Sequence, residues 1–325
     1  MDFEYIIGND PVKASLKAAL AARSLPNTLL FLGPDGIGKG LFARALAVLL
    51  MGTEHNRELT EHKVSQGNHP DLHEYFPEGK AQMHSIQSMR ELIGEIGKAP
   101  FEGRSKVFII HDADRMLPTS ANALLKTLEE PALDSYIILL TSSAAELLPT
   151  IVSRCRTFNF SHIPEEQIAS FLAKEHQKTV EQSQLIAKMA HGSMAKAIEM
   201  IQHPEQDEKR QVLFDLLTKA PMGYSDLHQI LARLESLYEK GGERKEVEIL
   251  LSQILMWYRD LHLLNAGADP KALYFPELSQ KTGRQDIPGM PKILKAVDGS
   301  RLGCDRGLKL SVCFERLFFD LGLVF

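Results

Sequence analysis

Cysteine is scarce. Cys155, Cys304 and Cys313 are the only three in 325 residues, and their spacing offers neither a metal-ligand set nor a disulfide framework. No apolar run approaches the roughly 20 residues that a membrane span needs. The first residues, Met1-Asp2-Phe3-Glu4, are acidic and lack the apolar core of a secretory signal. These absences together point to a reducing cytoplasm and away from membranes. Basic charge is also short: 37 Lys and Arg face 42 Asp and Glu, a net charge of −5. No global field therefore draws nucleic acid in, and any DNA contact is local or supplied by partners. What remains is ordinary for a globular chain, 44% apolar and 24% charged, with length for two or three domains.

The most informative stretch runs from Leu29 to Gly40. Leu29–Leu32 reads as a buried strand, and Gly33, four further residues, then Gly38-Lys39 read as a phosphate-binding loop. Gly33, Gly36 and Gly38 let backbone N–H groups turn inward as an anion nest. Lys39 would lie against the β/γ-phosphates at the positive end of the following helix. One letter departs from the pattern. Ser or Thr follows the Lys in a working loop, because its hydroxyl ligates Mg²⁺. Here that residue is Gly40. The plain alternative is a tight glycine turn between strand and helix.

Around this loop, strands alternate with helices. Residues 9–23 read as a helix with Pro11 in its first turn, and Leu41–Met51 as the helix after the loop. Residues 53–67 are polar with no clear period. His55, His62, His69 and His73 lack zinc-site spacing and read as surface histidines on a loop. Residues 85–98 form an amphipathic helix, and Val107–Ile110 a second buried strand. That strand ends in His111-Asp112. Phosphate-loop enzymes carry Asp-Glu there, the Asp holding Mg²⁺ and the Glu polarising water. Imidazole suits hard Mg²⁺ poorly. The strand alone also fits a core strand capped by two polar residues. A helix over 122–130, a strand over 136–140 and a short strand over 157–160 complete a parallel sheet wrapped by helices.

From Pro164 the texture is helical. Residues 165–175, 180–190 and 194–202 read as three short helices, and 203–207 as a linker. Helices follow over 210–218, 224–240, 247–265 and 307–321, with 266–291 as a long loop. The apolar stripes of this region, such as Leu250, Ile254, Trp257 and Leu261, exceed what one small bundle needs. Each residue singly still reads as core, and the region as the main assembly surface.

Several stretches together resemble one family: Gly33–Gly40, Asn122–Pro131 (Asn-Ala-Leu-Leu-Lys-Thr-Leu-Glu-Glu-Pro), Ser153-Arg154-Cys155, and Leu308–Ser311. The chain resembles the AAA+ subunits of the bacterial DNA polymerase III clamp loader, and most of all their delta-prime branch. The resemblance is strong over residues 1–200 and weaker beyond. It implies an α/β AAA+ P-loop domain (1–161), a small helical lid (162–207) and an all-α collar domain (208–325). The collar would hold the chain in a pentameric ring with gamma/tau-like and delta-like subunits, acting on the sliding clamp and primed DNA. In that family each neighbour supplies an arginine from a Ser-Arg-Cys motif to an ATP site, and Arg154 matches it. A solvated or structural arginine is the alternative, with Arg156 close by.

The resemblance also assigns the departures. Gly40 and His111 replace metal-site residues, with Asp112 in the place of the Glu. Ser142 and Ala195 occupy the two positions that sense the γ-phosphate, and Ala195 stands where Gly192-Ser193-Met194-Ala195 would end in Arg. Such a set implies the branch without ATPase activity. The expected role is a rigid stator that donates Arg154 in trans and needs no cofactor. Lys39 and the glycine nest would still hold a phosphate or nucleotide weakly. Family members often carry a four-cysteine zinc module after the first helix; no cysteine lies there, so no zinc is expected. The rivals are an active gamma/tau-type ATPase with substitute ligands, and an AAA+ adaptor outside replication.

Overall fold

The computed structural model describes residues 3–53, 55–79, 82–132, 134–202, 212–218, 222–236, 244–269, 273–275, 278 and 287–323. The linker expected at 203–207 lies outside them. The chain divides into two compact units, Met1–Glu199 and Met200–Phe325.

The first unit is built on five strands: β1 (Thr28–Leu32), β2 (Leu72–Tyr75), β3 (Lys106–Ile110), β4 (Ser135–Thr141) and β5 (Arg156–Asn159). They lie in the order β2-β3-β4-β1-β5, every neighbouring pair parallel. A parallel sheet is covered on both faces, which is why β3 is buried at every position. The covering helices are α1 (Asp10–Ala21), α2 (Lys39–Met51), α3 (Arg57–Ser65), α4 (Ile86–Ile96), α5 (Pro118–Glu129) and the short α6 (Pro149–Val152). Met89, Leu92 and Ile96 of α4 and Ala121, Leu124 and Leu128 of α5 close one face over Leu30, Phe108, Ile137 and Leu139. Phe31 packs against Phe158 and Phe160, and Phe160 against Phe42, with ring centroids 5.0–5.8 Å apart. All strands point the same way, so the segments after β1, β3 and β4 leave from one edge.

Three local readings change. Residues 57–65 are helical, and α3 was not legible because it buries only Thr60 and Val64, too few for a visible apolar period. Helix α5 begins at Pro118, four residues earlier than expected, since proline suits a first helical turn. His69 and His73 are not surface loop residues. His69 is buried, with Nδ1 accepting from the Asp71 amide at 3.2 Å, and His73 stacks on Phe108 at 5.0 Å.

The sheet unit continues into α7 (Glu165–Glu175), α8 (Val180–Met189) and α9 (Met194–Gln202). A reciprocal Thr179–Gln182 capping box starts α8.

The second unit contains α10 (212–218), α11 (Tyr224–Ser236), α12 (Arg244–Asn265), α13 (Met290–Asp305) and α14 (Leu310–Leu321). Helix α13 was not expected, because Gly299 and Gly303 interrupt its pattern. Gly303 is required by packing: a Cβ there would lie 2.9 Å from the Cys313 sulfur on α14. Leu250, Ile254, Trp257 and Leu261 are all interior. Trp257 sits edge-on to Phe214 and Phe275 at 5.4 and 5.5 Å. They are this unit's own core and leave no surplus. Among the described residues, the exposed large apolar side chains of this unit are Tyr224, Leu294, Leu302, Leu308, Val312 and Phe319. No described helix is long and apolar enough to cross a membrane.

A glycine loop, a filled metal position and an edge arginine

The glycine loop leaves the carboxyl end of β1, which lies between β4 and the edge strand β5. The Gly33 amide donates to the Thr141 carbonyl at 3.1 Å, tying the loop's start to β4. Gly38, at φ 96°, precedes the first residue of α2. Lys39 is buried, and its ammonium donates to the Gly33 carbonyl, to the Pro34 carbonyl at 2.8 Å and to Asp35 Oδ1 at 3.2 Å. An ammonium has three N–H bonds. All three are used within the loop, so a phosphate would compete with them.

The lid residues close on this loop. The Ala195 amide donates to the Gly36 carbonyl at 3.0 Å. A Cβ on Gly36 would come within 2.1 Å of Ser193 Oγ and 2.9 Å of the Ala195 Cβ, and φ is +75°. Only glycine fits. Ala195 thus approaches the loop through its backbone. At the end of β4, Ser142 is exposed, while the adjacent Thr141 hydroxyl donates to Asp114 Oδ1 and accepts from the Ser143 amide.

The side chains beside the metal position are an imidazole and a paired carboxylate and guanidinium. A Cβ on Gly40 would be in ordinary van der Waals contact with His111 Cε1 at 3.4 Å, so the imidazole lies beside the place where the hydroxyl would stand. Phe76 stacks on the same ring with centroids 4.1 Å apart. His111 Nε2 lies 3.3 Å from Glu74 Oε2, and Arg44 holds both Glu74 oxygens, at 2.7 and 2.8 Å. Arg44 follows Gly40 by one helical turn and brings a fixed cation to the spot. Asp112 begins the turn after β3 at φ 45°. A glycine, an imidazole and a carboxylate already taken by a guanidinium do not suit a hard divalent cation that requires free oxygen ligands.

Burial alone disfavours charge on Glu74. Hydrogen bonds from Arg44 and His111, with the Arg44 charge, outweigh it and hold the carboxyl down to about 2. A carboxyl depressed in the folded state contributes fully above its ordinary value of 4.5, and the contribution is lost as pH falls toward 2. Glu74→Gln is expected to remove about 2–3 kcal/mol of the acid-side fall in unfolding free energy. Urea denaturation between pH 6 and about 2.5 measures it; parallel curves for both proteins would refute the pairing.

Arg154 stands at the opposite end of the strands from the glycine loop, after α6 and just before β5. Its Nε and Nη2 donate to Glu129 Oε1 at the end of α5, and Nη1 donates to the Thr150 carbonyl at 2.8 Å. Arg156 is separate, lying over the Phe158 ring at 5.3 Å. Burial pushes the Cys155 thiol up to about 12, so this sulfur is a packing group, not a nucleophile. The sequence reading missed Arg44 and Glu74, and named Ser193 and Glu129 only as letters of motifs, without a role. Arg44 alone carried a local signal, its spacing of four from Gly40.

This sheet order, with a glycine loop after β1 opening a helix and the start of α9 seated on that loop, is that of a P-loop α/β protein. The family described as "DNA polymerase III, delta subunit" matches residues 8–164. The Bacillus subtilis DNA polymerase III subunit delta' is 31% identical over 264 residues, covering 77% of this chain and 76% of that protein. The Escherichia coli subunit tau is 30% identical over 256 residues, 74% of this chain but 39% of its own length. The Thermotoga maritima RuvB Holliday junction branch migration motor is similar in structure at 17% identity and TM-score 0.46, over 89% of this chain and 94% of that one. The chain belongs to the DNA polymerase III clamp-loader family, and the likeness points to its delta-prime branch.

Proposed function

We propose that this chain is a delta-prime-type clamp-loader subunit that does not hydrolyse ATP and presents Arg154 to the ATP site of a neighbouring motor subunit. The observation that carries the reading is the residue set at the metal position: His111 beside Gly40, with Glu74 already paired to Arg44. Phosphoryl transfer rests on positioning and on charge neutralisation by Mg²⁺. A site whose metal position holds an imidazole and a guanidinium has lost both. Lys39 and the glycine nest retain weak affinity for phosphate, in competition with the loop's own carbonyls. The partners in this reading are gamma/tau-like and delta-like subunits in a cytoplasmic pentameric ring that opens the sliding clamp and loads it on primed DNA.

The likeness to tau favours a second reading, an active motor-type ATPase. Metal-dependent turnover by the pure chain separates the two.

Domains at 1–161, 162–207 and 208–325 belong to the same proposal, with the last as collar. Its exposed apolar side chains at Leu302, Leu308, Val312 and Phe319 support a surface for neighbouring subunits. A chain ending at residue 207 is expected to stay soluble and to be lost from the reconstituted complex on gel filtration. Co-elution of the shortened chain with its partners would contradict the collar assignment.

A further inference from the structure

Helix α5 ends in Glu129-Glu130, directly before Pro131. The free carbonyls of a helix C-terminus carry partial negative charge, so two acids there are disfavoured unless a cation answers them. Arg154 answers Glu129: Nε and Nη2 both donate to Oε1. The rest of the arginine is fixed as well. Nη1 donates to the Thr150 carbonyl at 2.8 Å and lies 3.5 Å from Ser153 Oγ. The Arg154 carbonyl accepts from Thr28 Oγ1 at 2.7 Å, and its amide donates to the Ile151 carbonyl at 3.0 Å. The anchored atoms are those facing its own unit. A guanidinium has five N–H bonds, and one on Nη2 lies outside these contacts. The side chain is 32% exposed.

We propose that Glu129 is the positioning residue for Arg154, holding the guanidinium in the orientation it needs at a neighbour's γ-phosphate. This rests on the trans-arginine reading above. Glu129 could in principle act the other way, as a latch that sequesters the arginine. Magnitude decides between the two. Arginine loses much rotamer freedom when it is ordered, and a partner that orders it beforehand removes that cost from the transition state. An ion pair with both members partly in water is weak. It is far smaller than the contribution of an arginine at a γ-phosphate, so it orients Arg154 without withholding it.

The test is ATP turnover by the complete loader carrying Arg154→Ala, Glu129→Ala, Glu129→Gln, or Arg154→Ala with Glu129→Ala, with assembly checked by gel filtration. Glu129→Ala is expected to lower kcat at the served site about two- to five-fold and leave KM for ATP unchanged. Glu129→Gln keeps an acceptor oxygen and should recover part of the loss. Added to Arg154→Ala, Glu129→Ala should change nothing further. A faster rate with Glu129→Ala would make Glu129 a latch and overturn the proposal. So would an equal loss on the Arg154→Ala background, or no loss where Arg154→Ala alone is slow. Wild-type turnover with Arg154→Ala would overturn the trans-arginine reading itself, and this proposal with it.

Discussion

Arg154→Ala is expected to slow ATP hydrolysis at the adjacent site of the assembled loader by about 10³-fold or more, with folding and assembly intact. The side chain lies at the surface of its unit, and its structural contacts are Glu129, Thr150 and Ser153, all at the edge. Removing them disturbs no core. Its own glycine loop lies at the opposite end of the strands, beyond the reach of the guanidinium in cis. In a ring with several sites, the total rate should fall only in part while one site falls steeply. Arg154→Lys should fail as well, because a compact ammonium cannot reproduce the planar fork that holds Glu129 and Thr150 while presenting a further N–H outward. Clamp-stimulated turnover of fully assembled complexes measures both. Wild-type rates with both variants would make Arg154 structural.

The isolated chain is expected to turn over ATP no faster than a Lys39→Ala variant, and to bind nucleotide weakly and without metal dependence. A competent phosphate loop needs a free lysine, a hydroxyl on Mg²⁺ and an acid on the next strand. Here the Lys39 ammonium is bound within the loop, Gly40 has no hydroxyl, and the next strand ends in His111 beside it. Gly40→Ser alone should therefore restore nothing. Its Cβ would already touch His111 at 3.4 Å, and Arg44 would still oppose a divalent cation nearby. Turnover above the Lys39→Ala control, or tight Mg²⁺-dependent binding by calorimetry, would refute this account.

The histidines show how far local reading reaches. His111 was legible as a departure because its place at the end of an apolar strand is a local property. That it lies beside Gly40 was not, because the two lie in different elements. His69 and His73 misled for the same reason: a polar stretch with no period looks like surface. The structure buries His69 and lays His73 on Phe108.

The sequence by itself determined the alternation of strands and helices, the glycine loop and the short helices from 165 to 202. These depend on period, turn residues and caps, signals that act within a few residues. It also determined which metal-site letters are missing. It left α3 hidden behind a polar surface and α13 behind two glycines. Only the tertiary structure decided the electrostatic pairing. Arg44 meets Glu74 across 30 residues, His111 meets Glu74 across 37, and Arg154 meets Glu129 across 25. Charges pair by distance in space, and the sheet order β2-β3-β4-β1-β5 sets that distance. The order brings β2 beside β3, and so delivers Glu74 to His111 at the end where the loop emerges. Nothing in the spacing of those residues along the chain encodes it.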